Sequence, residues 1–143
     1  MRAHVVSSTA PTRPCWVCTA PIRWAASESA CRDQCRQLLW HESYRIDRIR
    51  EESRRKGQRA DIMLEQWARA IRFFNGVCAP FATADHIQPR YLGGPSTAAN
   101  LIPACFACNV TKGGRRLEEV EDLPLAGLAR VQAYVVWGEG LGR

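Results

Sequence analysis

The sequence predicts a small α+β protein with a metal-stapled module at its front. Three observations predict it. Four cysteines, Cys15, Cys18, Cys31 and Cys35, stand in two tight pairs near the start. Two stretches with helical spacing follow them. Beyond these, two short extended segments flank a glycine-containing loop and lead into a short helix stopped by glycines. At 143 residues the chain can hold one ordinary domain, or a small domain with a metal-bound appendage. An apolar content of 46% supports a core, and a net charge of +6 favours an anionic partner such as nucleic acid.

Residues 1–13 (MRAHVVSSTAPTR) carry Ser, Thr and Pro without periodicity and read as a flexible arm. No apolar run of signal-peptide length lies there, and no stretch approaches the roughly 18 to 20 apolar residues of a membrane span. The expectation is a cytoplasmic protein with no membrane partner, in which seven cysteines suggest metal before disulfides.

Residues 14–40 hold the pattern C-x2-C-x12-C-x3-C, which can bring Cys15, Cys18, Cys31 and Cys35 around one zinc at about 2.3 Å each. Four thiolates leave no open position for water, so this Zn²⁺ is expected to be structural. Residues 41–74 read as a basic helical connector. Between Arg45 and Arg59 stand seven basic and three acidic residues. The run suits a solvated face with Glu51/Arg55 and Glu52/Lys56 pairs. It equally suits phosphate contacts, with Arg54 and Arg55 as candidates. Gly57 interrupts it, and Asp61 is a candidate cap for a second helix. In that helix Ile62/Met63, Trp67, Ala70/Ile71 and Phe74 recur at the spacing of a buried face. Asn75-Gly76 reads as a turn. Extended segments are expected at Thr83–Gln88 and Leu101–Ala104, with Gly93-Gly94-Pro95 in the loop between. A short helix over Phe106–Lys112 ends at Gly113-Gly114, and a helical tail lies near Leu125–Val136.

The string DHIQPRYLGGPSTAANLIPACFACNVTKGG resembles the HNH endonuclease motif, the ββα-metal nuclease fold. The resemblance implies an HNH core over 75–122, followed by a C-terminal helix or tail over 123–143. It implies a DNA substrate, and points to phage packaging or mobile-element proteins as further partners. Phosphodiester hydrolysis needs an activated water, a counter-charge for the transition state and relief for the leaving oxygen. A histidine of near-neutral pKa can take the water's proton, and a divalent ion can supply the charge. By the resemblance His86 is that general base, while Asp85 and Asn109 are the hard oxygen ligands of a catalytic Mg²⁺ or Mn²⁺. Side chains alternate along a strand, so Asp85 and His86 face opposite ways. Asn100 matches the family's middle asparagine, which supports the loop and orients the histidine. Lys112 follows Asn109 by three residues and could reach a backbone phosphate, with Arg115 and Arg116 extending the positive charge. Asn109 stands where the family's name has a histidine, a common variant that favours Mg²⁺ or Mn²⁺ over zinc.

A Cys-x-x-Cys knuckle usually precedes the Asp-His pair in zinc-stapled relatives; here only Cys78 is present. Cys78, Cys105 and Cys108 could hold a second zinc with a fourth ligand from elsewhere, His41 being one candidate. Alternatively Cys15 and Cys18 join Cys105 and Cys108, or apolar packing by Phe81 and Phe106 replaces the metal. A rival to the nuclease is a non-catalytic zinc-stapled DNA-binding module, and an RNA-directed nuclease is a third reading.

Overall fold

The structure, a computed structural model, describes residues 12–23, 29–74, 83–121 and 125–141. It is α+β, as expected. Two strands, β1 (Thr12–Pro14) and β2 (Pro21–Arg23), pair antiparallel with Arg13 opposite Ile22. The turn between them carries the Cys15–Cys18 knuckle. It is tied by Cys15 N–H to Ala20 O at 2.8 Å and Thr19 N–H to Cys15 O at 3.0 Å. The end of the expected arm, Thr12 and Arg13, is therefore strand.

Helix α1 (Asp33–Arg55) runs for 23 residues, roughly 35 Å at 1.5 Å per residue. Its buried residues, Cys35, Leu39, Glu42, Ile46 and Ser53, fall on one stripe of 3.6-residue period. Outside that stripe, charges pair along the helix: Glu51–Arg55 at 2.5 Å and Arg48–Glu52 at 3.4 Å. Glu52 does not pair with Lys56 as expected. Its carboxylate is drawn 2.6 Å from Arg90, in the loop beyond the third strand, where the bond joins two parts of the chain.

Helix α2 (Leu64–Phe74) buries Trp67, Ala68, Ala70, Ile71 and Phe74, in keeping with the expected face. Met63 departs from it, at 54% exposed, because the helix begins one residue later. Asp61 does not cap the helix either; its carboxylate pairs with Arg59 at 2.5 Å, and the Met63 N–H is met by the Gln66 side chain at 2.9 Å.

Strands β3 (Thr83–His86) and β4 (Leu101–Ala104) pair antiparallel, with Asp85 opposite Ile102 and His86 opposite Leu101. The first strand stops at His86 rather than Gln88, since Gln88 turns to bond Asn100. Helix α3 (Phe106–Lys112) packs on β3 and completes a β-β-α order. Helix α4 (Leu125–Leu141) closes the core through Val131 and Tyr134. The main core joins α1, α2, β4 and α4 through Ile46, Trp67, Phe74, Leu101 and Tyr134 among others. A smaller cluster, with Cys15, Ile22, Cys35, Leu39 and Ala68, seats the cysteine hairpin on α1 and α2. No helix among the described residues is long and apolar enough to cross a membrane. The Asn75-Gly76 turn, Cys78 and Phe81 lie outside the described residues, and Phe106 is 69% exposed rather than packed.

Candidate functional site

Two clusters of chemistry-bearing side chains emerge from this fold. The first is the thiol quartet. The Sγ atoms of Cys15, Cys18, Cys31 and Cys35 all lie within 4.8 Å of one another. Cys18–Cys31 is 3.3 Å, while Cys31–Cys35 and Cys35–Cys18 are each 3.9 Å. Four sulfurs at 2.3 Å from a tetrahedral zinc stand about 3.8 Å apart, so the quartet has the dimensions of a ZnS₄ site. Its electrostatics point the same way. Burial raises the Cys15 thiol, but backbone N–H groups of Cys18, Val17 and Cys31 outweigh it and bring Cys15 down to about 6. Cys31, against the Cys18 sulfur, is pushed up to about 12. Thiolates held this close repel one another, and a cation at their centre would supply the charge that opposes that repulsion. The front thiols gather with each other, so the crossed grouping with Cys105 and Cys108 does not occur.

The second cluster surrounds β3. Asp85 and His86 are sequence neighbours on a strand and project to opposite faces. On one face, Lys112 Nζ stands 3.3 Å from both Asp85 oxygens and donates to the His86 carbonyl at 2.8 Å. Lys112 is 3% exposed, so its ammonium is turned inward instead of towards a phosphate. Burial pushes the Asp85 carboxyl above its ordinary value, and the Lys112 ammonium opposes that rise. A cavity of about 60 Å³ opens here, with Asp85, Lys112 and Cys108 in its wall.

On the other face His86 Nε2 lies 2.8 Å from Ser96 Oγ, and Ser96 Oγ lies 2.7 Å from Ser53 Oγ of α1. Both serines are fully buried. Burial, with Arg90, Lys112 and Lys56 nearby, pushes His86 down to about 4, so its imidazole is neutral at pH 7. The serine pair is invisible in the sequence, because it joins residues 43 positions apart.

Asn100 clamps the loop between the strands. Its Oδ1 accepts from Gln88 N–H at 2.8 Å, while its Nδ2 donates to Gln88 O at 3.1 Å and Pro95 O at 2.8 Å. The same loop requires glycine at position 94: a Cβ there would stand 1.9 Å from the Gln88 carbonyl oxygen. Asn109 sits half-buried on α3, the helix that packs on β3. The Cys105 thiol accepts from Cys108 N–H at 3.4 Å and starts that helix. Arg54 and Arg55 are exposed at the end of α1, and Arg115 and Arg116 are exposed beyond α3. Arg115 folds back to donate to the Thr111 and Lys112 carbonyls. His41 stands edge-on to Trp40, on the wall of a cleft of about 490 Å³ that Tyr44, Arg45, Arg48 and Arg90 also line.

The Asp85 carboxylate and the Asn109 amide oxygen are hard donors of the kind Mg²⁺ and Mn²⁺ take. The Lys112 ammonium, equidistant from both Asp85 oxygens, already marks a cation's place there. Against known proteins, no curated protein and no solved structure matches the chain. Residues 72–115, which hold β3, β4, the clamped loop and α3, match the family model described as HNH endonuclease.

Proposed function

We propose that the chain is a metal-dependent endonuclease that hydrolyses DNA phosphodiester bonds, with His86 as general base and Asp85 and Asn109 as ligands of one Mg²⁺ or Mn²⁺. The observation that carries this reading is the two-sided strand β3. A neutral imidazole fixed by a hydroxyl stands on one face, and a carboxylate bearing a cation stands on the other. When bound, the divalent ion supplies positive charge to the phosphate and the leaving oxygen.

The chain's own residues do the rest. With Nε2 engaged by Ser96, the Nδ1 nitrogen of His86 is the one that accepts a proton from water. Its lowered pKa keeps it in the base form at neutral pH. The water oxygen bonds to phosphorus, the phosphorus–oxygen bond to the 3′ carbon's oxygen breaks, and that oxygen takes a proton from solvent. A 5′-phosphate and a 3′-hydroxyl result. Asn100 holds the loop that carries Ser96, so it acts on His86 through the backbone. The Zn²⁺ of the front quartet anchors the start of α1, and Arg54, Arg55, Arg115 and Arg116 give DNA affinity without sequence choice.

A second reading, a non-catalytic zinc-stapled DNA-binding module, is favoured by one observation: Asp85 is held by Lys112, and His86 is 8% exposed. Plasmid incubated with Mg²⁺ or Mn²⁺ separates the two. The nuclease reading expects nicking or cutting that His86→Ala abolishes while DNA binding and fold persist. DNA binding with no cleavage under either ion would establish the second reading.

A further inference from the structure

Lys112 has a part in the site beyond that of a charge near DNA, and the inference rests on the nuclease reading above. Its ammonium is 3.3 Å from Asp85 Oδ1 and 3.3 Å from Oδ2, and 2.8 Å from the His86 carbonyl oxygen. A buried carboxylate is costly without a cationic partner, and here the lysine is that partner. Mg²⁺ sits about 2.0–2.1 Å from its oxygen ligands, closer to Asp85 than the ammonium now stands. Two cations cannot occupy one carboxylate notch without strong repulsion.

We infer that Lys112 is a resident counter-ion that holds the cation site closed, and that binding of Mg²⁺ or Mn²⁺ at Asp85 expels its ammonium. The small cavity beside Asp85, about 60 Å³, gives the incoming ion room for a water ligand. The lysine is the last residue of α3, directly before Gly113-Gly114, and its four-carbon stem can carry the charge outward past them. Once expelled, the ammonium joins the exposed Arg115 and Arg116, where it can meet a phosphate. One residue thus neutralises Asp85 before the ion arrives and adds positive charge to the DNA-facing surface afterwards.

The chain contains two lysines, Lys56 and Lys112, so amine acetylation followed by peptide mass spectrometry reads the exchange directly. In zinc-loaded protein without other divalent ions, the exposed Lys56 is labelled and the buried Lys112 is protected. With saturating Mn²⁺, labelling of Lys112 is expected to rise about tenfold while that of Lys56 stays constant. In parallel, Mn²⁺ binding is counted by electron paramagnetic resonance. Lys112→Met is expected to bind about tenfold tighter than wild type, because no occupant has to be displaced, and Asp85→Asn to lose the site. Lys112 still protected at Mn²⁺ saturation overturns the inference. So does equal affinity of wild type and Lys112→Met at an Asp85-dependent site. Either result leaves the nuclease reading standing. Absence of Asp85-dependent Mn²⁺ binding in every variant overturns both. Should Lys112→Met fail to unfold cooperatively, the wild-type labelling decides alone.

Discussion

Replacing Ser96 by alanine deletes the middle of the Ser53–Ser96–His86 chain, and its energetic signature is unusual. Ser96 Oγ is bonded at 2.8 Å to His86 Nε2 and at 2.7 Å to Ser53 Oγ, with both serines fully buried. Ser96→Ala therefore leaves two buried groups without that partner, each costing about 1–3 kcal/mol, or about 2–6 kcal/mol together. Ser53→Ala removes one bond while Ser96 keeps His86, a loss of about 1 kcal/mol. The double variant leaves only His86 orphaned. It is predicted to be about 1 kcal/mol more stable than Ser96→Ala alone, although it carries one more deletion. Urea midpoints at unchanged slope measure all three. Losses that simply add, with the double variant weaker than Ser96→Ala by the full Ser53→Ala increment, would refute the relay.

Three further outcomes follow from the same structure. Cys35→Ser should remove one equivalent of zinc per chain, read by elemental analysis, and open the start of α1 to protease; Cys105→Ser should leave that equivalent in place. Because His86 is held near 4 in the folded chain against about 6.5 unfolded, the unfolded state binds more protons between those values, so stability is full above pH 6.5 and falls as pH drops towards 4. About 2 kcal/mol should be lost between pH 7 and pH 5, and denaturant midpoints of His86→Gln should lack that component. Gly94→Ala would drive a Cβ into the Gln88 carbonyl at 1.9 Å, so the loop must move. A loss of more than about 2 kcal/mol is expected, with weakened exchange protection at the Gln88 amide that Asn100 holds.

What the sequence disclosed was whatever depends on local spacing. The cysteine quartet, the two strands around the glycine loop, the short helix from Phe106 and the buried face around Trp67 and Phe74 all follow from intervals of two to twelve residues. What it withheld depends on contacts between distant residues. Glu42, in the stretch that reads only as a basic helical connector, is 6% exposed and accepts from Trp67 Nε1 at 2.6 Å. Glu52 chose Arg90 over Lys56, and Ser53 found Ser96. Lys112 was placed near phosphate by its helical offset from Asn109, but its length let the ammonium reach back under β3. Long polar side chains escape periodicity arguments for this reason: their heads need not lie where their Cα atoms do.

The course of α1 bears on what counts as a separable part of this chain. The helix contributes Cys35 to the thiol quartet near one end and Ser53 to the histidine's support near the other. Of the ten buried residues in the main core, only Phe74, Leu101 and Ile102 fall within the family-matched residues 72–115. A fragment cut to those limits would keep Asp85, His86 and Asn109 yet lose Ile46, Trp67 and Tyr134. It would hold the reactive groups without the framework that spaces them. Recombination, by nature or by an engineer, would have to move the cysteine hairpin, both long helices and the strand pair together, as one inheritable block.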